Sequence, residues 1–251
     1  MKLVKLYLLL PLLCMLIGAC TANQAQANNH LSAYDWFHSE TRHNIWGMLS
    51  ERLQFTSTFS QPQVQKEIHW FKHNRDYIRE LTTNAKPYVY YVFQQTLKRK
   101  MPPEIALIPM IESNYNPFIY SRQGATGLWQ LMPGTASGMK VKIDWWYDGR
   151  RDIIASTKTA LDYLNYLHKF FNNNWLLAIA AYNAGEGTVL NAIHRNKKLH
   201  KPTDYWHLAL PAETKYYVPK LLALAAIINK NPLHSKYIKP VKYQPYFTSI
   251  S

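Results

Sequence analysis

The sequence has 251 residues, 47% of them hydrophobic and 18% charged, which is enough for one sizeable domain or two small ones. The net charge of +14 suits nucleic acid, an anionic membrane surface, an acidic polymer such as a bacterial cell wall, or merely a soluble basic surface. The basic residues are scattered and no RNP, zinc-finger or basic-zipper pattern occurs, so we expect no nucleic-acid partner.

The N-terminus has the pattern of a secretory leader. Lys2 and Lys5 precede a mostly apolar stretch, residues 6–17, that is too short for a comfortable membrane span. The stretch ends in Ile-Gly-Ala-Cys at Cys20, which resembles the lipobox of bacterial lipoproteins. We therefore expect residues 1–20 to be a lipoprotein signal peptide with lipidation at Cys20.

This leader predicts the cellular location. Thr21 follows the cysteine where Asp would retain a lipoprotein, so the resemblance implies an anchor in the outer membrane, facing the periplasm. Residues 21–33 form a polar tether. The alternative is a cut after Ala27, in Ala-Gln-Ala, which would leave a soluble periplasmic protein.

Both cysteines, Cys14 and Cys20, lie in the leader, so the mature chain has no disulfide and no cysteine metal site. Loss of Lys2 and Lys5 reduces the 29 basic residues to 27 against 15 acidic ones, a net charge of +12.

Apolar residues recur at helical spacing from residue 34 onward. Strand-like alternation of useful length is absent, so the sequence predicts a mostly α fold. The Pro-rich residues 232–251 are expected to form an extended tail. The predicted helices cover residues 36–53, 64–81, 87–97, 103–112, 126–132, 153–171, 175–183, 188–193 and 213–228.

Glu112 is the strongest candidate for chemistry. It follows the apolar run of residues 108–111 and precedes a polar loop. A carboxylate at the edge of an apolar pocket loses hydration, which raises its pKa and suits it to general acid and base catalysis.

Three further clusters contain polar side chains among glycines or at helix ends. Residues 124–133 include Gln130, residues 180–185 include Tyr182 and Asn183, and residues 213–219 include Tyr217. In order, the motifs read Glu-Ser, Gly-Leu-x-Gln, Ala-Tyr-Asn and Glu-Thr-x-x-Tyr-Val. This order resembles the lytic transglycosylases whose lysozyme-like domain is of the soluble-transglycosylase type.

The resemblance covers roughly residues 36–229. It implies a lysozyme-like single domain at residues 101–231, preceded by additional helices at residues 34–100. Its departures are Trp129, where many relatives have Met, and the lack of room for the C-terminal LysM wall-binding repeats that similar enzymes carry.

The resemblance also implies a reaction. Glu112 would protonate the oxygen of the β-1,4 bond between N-acetylmuramic acid and N-acetylglucosamine, and then accept the proton of the 6-hydroxyl that closes a 1,6-anhydro ring. The partner would be the peptidoglycan glycan strand, the protein a monomer, and no cofactor would be needed. The supporting and substrate-binding candidates are Ser113, Gln130, Tyr182, Asn183 and Tyr217, with Trp129, Trp145, Trp146 and Tyr147 as sugar platforms.

Other residues leave two alternatives open. Glycosidases with two carboxylates need the second within about 5–10 Å of the first. Glu104 lies about 12 Å along the same predicted helix, and Asp148 and Asp152 are expected to pair or cap, so a single-acid mechanism fits. A lysozyme-type hydrolase and a non-catalytic peptidoglycan-binding lipoprotein are the alternatives.

The histidines have no HExxH spacing, so we expect no metal site.

Overall fold

The computed structural model describes residues 43–230 and 236–247. The predicted leader, the tether and the lipidation residue Cys20 lie outside these residues, as does the start of the first predicted helix. Among the described helices, none combines the length and the apolar character needed to cross a membrane.

Ten α-helices form the described part of the chain. They are α1 (Ile45–Ser50), α2 (Pro62–His73), α3 (Arg75–Ala85), α4 (Val89–Lys98), α5 (Ile108–Ser113), α6 (Pro133–Gly138), α7 (Ile153–Phe170), α8 (Trp175–Ala184), α9 (Glu186–Lys198) and α10 (Ala212–Lys230). Short 3-10 helices occupy Thr56–Ser60, Pro103–Leu107 and Tyr205–His207. Over the described ranges, β structure is limited to isolated bridges, so the mostly helical class is confirmed.

Helix α10 is the centre of the core. It packs against α2 and α8, and also against α1 and α5. Its buried face includes Val218, Leu222 and Leu224. Pro219 lies inside this helix and is buried; a proline there removes one backbone donor. Because α10 packs against helices from early and late in the chain, a side chain on α10 can lie beside a residue that is distant in sequence.

Three predicted helices differ from the structure. The one expected at residues 103–112 is a 3-10 helix at Pro103–Leu107 followed by α5. The single helix expected at residues 64–81 is broken at Asn74, whose side chain donates to Trp70 O at 2.8 Å and which separates α2 from α3. The helix expected at residues 126–132 is wrong. Gly127 and Gln130 have positive φ angles of 80° and 45°, which an α-helix does not contain.

The segment predicted as a tail packs back on the first helix. Ile238 and Val241 are buried. The Trp46 indole donates to Lys239 O at 2.7 Å, and Ile45 N donates to Val241 O at 2.9 Å. Residues 236–247 therefore contain no helix, as expected, but they complete the core beside α1.

The turn of residues 124–131 depends on a contact with residues later in the chain. An added Cβ at Gly127 would lie 1.9 Å from Arg150 O, so glycine is required there. The buried Arg150 donates to Gly124 O at 2.9 Å and pairs with Asp148 at 2.7 Å. The hydrogen bond from Arg150 to Gly124 O and the close approach of Gly127 to Arg150 O hold the turn in a conformation that local sequence does not favour.

We expect Gly127→Ala to lower the free energy of unfolding by about 3 kcal/mol or more, because it adds a steric clash to an unfavourable φ. Gly134→Ala is the matched control, since Gly134 lies in α6 and a Cβ there meets nothing within 4 Å; its effect should be neutral or stabilising by less than ~1 kcal/mol. Urea unfolding of both variants measures this, and equal stabilities would contradict the close contact.

Candidate active site

Glu112 lies in the last turn of α5, and the helix ends one residue later at Ser113. Asn114 and Tyr115 both adopt left-handed backbone conformations, with φ of 53° and 57°. The buried Tyr115 hydroxyl donates to Ala106 O at 2.7 Å. The helix end is thus tied to the chain that precedes it, and the Glu112 side chain is held at the edge of the core.

Glu112 opens into a groove of about 670 Å³, a volume typical of small-molecule sites. Gln130 comes from the turn before α6, Tyr182 and Asn183 from the end of α8, and Tyr217 from α10. The groove is lined by Ile111, Glu112, Ser121, Gln123, Ala125, Gln130, Leu131, Met132, Thr135, Tyr163, Tyr182, Asn183, Ala184, Gly185, Glu213 and Tyr217. The structure therefore brings five of the predicted site residues together.

The closest polar contact of the site joins α10 to α5. The buried Tyr217 hydroxyl donates to Glu112 Oε1 at 2.5 Å. Burial raises the pKa of Glu112 to about 7, while the Tyr217 hydrogen bond lowers it and the charge of Glu213 raises it. A carboxyl group with this pKa is present in both protonation states near neutral pH, so it can serve as acid and as base.

Glu213 is an acidic residue of the groove to which the sequence assigned no role. Its carboxylate accepts from Asn183 Nδ2 at 3.3 Å, and Thr214 Oγ1 donates to Asn183 Oδ1 at 2.8 Å. Asn183 is therefore oriented by both residues at the start of α10. The signal was the Glu-Thr motif itself, which stands directly before Tyr217 in the same cluster.

Tyr182 and Ser113 support the turn behind Glu112. The Tyr182 hydroxyl donates to Trp129 O at 2.7 Å, and Ser113 Oγ donates to Leu128 O at 2.7 Å. Each bond joins the turn of residues 126–131 to the end of a different helix. Burial, followed by the nearby Glu112 charge, raises the pKa of Tyr182 well above its ordinary value, so its hydroxyl keeps its proton and donates.

Gln130 faces the groove from a strained position. Its φ is 45°, and its side-chain amide donates to Gly127 O at 2.9 Å. The side-chain nitrogen is the donor in this bond, whereas the amide oxygen is an acceptor that can take a hydrogen bond from a ligand.

The expected sugar platforms Trp129 and Tyr147 do not join this group. Trp129 is fully buried, and its indole donates to Thr157 Oγ1 at 3.0 Å. Trp129 as a sugar platform is therefore wrong, because a ring without exposed surface offers no face; it supports the site through the carbonyl that Tyr182 contacts. Tyr147 is partly exposed but is not among the residues that line the groove.

The other acids considered from the sequence are engaged elsewhere. Glu104 is buried in the first turn of its 3-10 helix and also accepts from the backbone of Gln54 and Phe55 at 2.7 and 2.8 Å. Asp148 pairs with Arg150, and Asp152 caps α7, as expected. Among the described residues, Glu112 and Glu213 are the acids that line the groove; within the same residues, no group of His, Cys, Asp and Glu could hold a metal ion.

The fold and groove define a helical domain that carries one acid/base group among tyrosine and amide side chains. Residues 91–204 match the family model of the transglycosylase SLT domain. Residues 91–204 are therefore similar to a transglycosylase SLT domain, and they contain the first three of the four motifs.

Known proteins share longer parts of the sequence. The chain is 37% identical over 214 residues to membrane-bound lytic murein transglycosylase D of Escherichia coli (strain K12), which covers 84% of this chain and 47% of that protein. A protein of Alteromonas sp. (strain M-1) named for tributyltin chloride resistance is 47% identical over 136 residues, covering 54% of this chain and 61% of that protein. The chain thus spans less than two thirds of the length of either relative.

A solved structure also resembles part of the chain. The 70 kDa soluble lytic transglycosylase of Escherichia coli is 26% identical and aligns with a TM-score of 0.45 over 59% of this chain and 25% of that one.

We expect Glu112→Gln to make the protein more stable than the wild type as pH rises. The pKa of Glu112 is about 7 in the folded protein against an ordinary 4.5, so below 4.5 both states hold the proton. Between 4.5 and 7 the unfolded chain ionises first, and folding is opposed by up to about 3 kcal/mol. Glutamine removes this penalty, so the stability difference should grow across that interval and level off above it.

Urea unfolding of the wild type and Glu112→Gln, at a series of pH values, measures the difference. Glu51→Gln is the control, because Glu51 is an exposed carboxylate at the end of α1. Stability curves for wild type and Glu112→Gln that stay parallel from acid to neutral pH would show that Glu112 is not a buried acid of raised pKa.

Proposed function

We propose that this protein is a lytic transglycosylase of peptidoglycan. It would cleave the β-1,4 bond between N-acetylmuramic acid and N-acetylglucosamine and leave a 1,6-anhydro-N-acetylmuramic acid end. The observation that carries the proposal is the Glu112 carboxyl group, with a pKa of about 7, hydrogen-bonded to Tyr217 at the edge of the groove. The similarity to proteins named as lytic murein transglycosylases supports the substrate class.

The proposed reaction uses Glu112 twice. Its protonated carboxyl group donates to the glycosidic oxygen, the bond from this oxygen to the anomeric carbon breaks, and positive charge develops on the muramoyl ring. The 6-hydroxyl of the same sugar attacks the anomeric carbon and returns its proton to Glu112. Tyr217 donates to Oε1 in this arrangement, which stabilises the carboxylate between the two transfers.

One observation favours a hydrolase as the second candidate. Glu213 lines the same groove and could act as the second carboxylate that inverting glycosidases use to activate water. Its position in the Asn183 hydrogen bond argues for an orienting role instead, since that carboxylate already accepts a donor. Glu213 then sets the amide of Asn183 for the sugar and raises the pKa of Glu112.

The substrate suits the charge of the chain. Without Lys2 and Lys5 of the leader, 27 basic residues stand against 15 acidic ones, a formal charge of +12. Peptidoglycan stem peptides carry carboxylates. Electrostatic attraction would concentrate the enzyme on the wall and would weaken as salt screens it.

Product masses from purified sacculi test the proposal. We expect the wild type to release muropeptides with 1,6-anhydro ends, and Glu112→Gln to lose at least about 1000-fold of this activity, because it can neither give nor accept the proton. Glu213→Gln should still give anhydro products at a reduced rate. Reducing-end products from the wild type would establish a hydrolase, and binding without any cleavage would establish the non-catalytic alternative.

We further propose that the protein is a lipoprotein of the outer membrane, anchored through Cys20. The support is the leader sequence, with Ile-Gly-Ala before Cys20 and Thr21 after it. Cell fractionation tests this: Cys20→Ser should move the protein from the membrane fraction to the soluble or unprocessed one. A wild-type protein that is soluble in the periplasm would instead support the cut after Ala27.

A further inference from the structure

Residues 141–150 form a tightly bonded loop outside the groove. Asp144 N donates to Tyr147 O at 2.8 Å, and Gly149 N donates to Lys142 O at 2.9 Å. The Asp144 carboxylate accepts from the backbone of Trp146 and Tyr147 at 3.0 and 2.8 Å. The turn at the tip is thus fixed by its own backbone and by one acidic side chain.

The fixed tip presents two tryptophans to solvent. Trp145 and Trp146 are 81% and 79% exposed. Their ring centroids are 3.8 Å apart and the rings are tilted by 34°. Two adjacent large apolar rings held in water by a bonded turn are costly to leave exposed, which marks an interaction surface rather than part of the core.

The loop is joined to one wall of the groove. Arg150, at its end, donates to Gly124 O at 2.9 Å and to Leu131 O at 3.5 Å. Gly127 approaches Arg150 O so closely that no side chain fits between them. Val141, at its start, donates to Ala136 O of α6 at 2.9 Å. The loop of the tryptophan pair is therefore attached to the turn whose residues Gln130 and Leu131 line the groove.

We propose that Trp145 and Trp146 form a second glycan-binding site, which holds a stretch of the peptidoglycan strand beyond the groove. The choice of peptidoglycan rests on the proposed function. Indole faces present flat apolar surfaces of the kind that pack on the C–H faces of sugar rings. A site fixed to the groove wall would keep a long strand attached while its cleaved bond lies beside Glu112.

The charges around the pair suit this ligand. Lys140 directly precedes the loop and Lys142 lies in it, and both are exposed; Lys142 lies 3.3 Å from Asp144. Asp144 is the acid of the tip, and its carboxylate is engaged by the turn. The surface next to the rings therefore offers cationic groups to the carboxylates of stem peptides, while the rings contact the neutral sugar backbone.

Binding without turnover is the first test. Trp145→Ala/Trp146→Ala is made in a Glu112→Gln background, and cosedimentation with purified sacculi is compared with Glu112→Gln alone. We expect the apparent Kd to rise roughly tenfold, the factor that corresponds to about 1.4 kcal/mol. Trp70→Ala in the same background is the matched control, since Trp70 is 42% exposed on α2. Its Kd should not change.

A conservative pair of variants separates ring chemistry from folding. Trp145→Phe/Trp146→Phe keeps flat apolar faces and should recover most of the binding, with an unchanged urea midpoint for all variants. Equal binding by the alanine and wild-type pairs would overturn the proposal.

Turnover gives the second test. In the active protein, the alanine pair should raise KM for sacculi and leave both kcat and the anhydro product unchanged, whereas soluble disaccharide-peptide oligomers that only fill the groove should be cleaved as by the wild type. An equal loss on both substrates would show that the loop acts on the groove itself and would overturn a separate site.

The two proposals fail in distinguishable ways. If the alanine pair lowers sacculus binding in the Glu112→Gln background but the wild type gives no anhydro product, the second glycan-binding site is supported and the transglycosylase function is wrong. A bilayer is the competing ligand for exposed tryptophans. If the alanine pair loses binding to vesicles of anionic phospholipid while sacculus binding is unchanged, the surface is a membrane contact and the proposal is wrong.

Discussion

The site depends on the hydrogen bond from Tyr217 to Glu112, which joins residues 105 positions apart at 2.5 Å. One partner ends the short helix α5 and the other lies on the long central helix α10. The bond forms only if α5 and α10 pack against each other in the correct position. Folding of the core therefore also sets the position of the Glu112 carboxyl group.

The raised pKa of Glu112 is the balance of opposing effects. Burial favours the protonated form, and the nearby charge of Glu213 acts in the same direction. The Tyr217 hydroxyl favours the ionised form. Without the hydrogen bond the carboxyl group would keep its proton and would be a poor base; without burial it would lose the proton and be a poor acid. A pKa near 7 therefore requires the apolar edge and the tyrosine together.

Much of this arrangement was predictable from the sequence. Glu112, Gln130, Tyr182, Asn183 and Tyr217 stand in short motifs, and the structure brings them to one groove. The long helices α7, α8 and α10 follow from apolar periodicity. The turn of residues 126–131 was missed because its leucines and Gln130 favour helix, whereas its conformation depends on Arg150, 26 residues beyond Gly124. Local propensity contains no information on such a contact.

The same turn explains why the sequence did not distinguish the buried tryptophan from the exposed ones. Trp129 lies where the chain folds under the site, so its ring fills the core and its carbonyl orients Tyr182. Trp145 and Trp146 lie on the loop that a hydrogen bond from Arg150 to Gly124 O joins to the outer side of that turn. Their rings remain in solvent. Composition treats these residues alike. The contacts of Arg150 with Gly124 O and Leu131 O, which local sequence does not reveal, place the loop of Trp145 and Trp146 against the turn that contains Trp129.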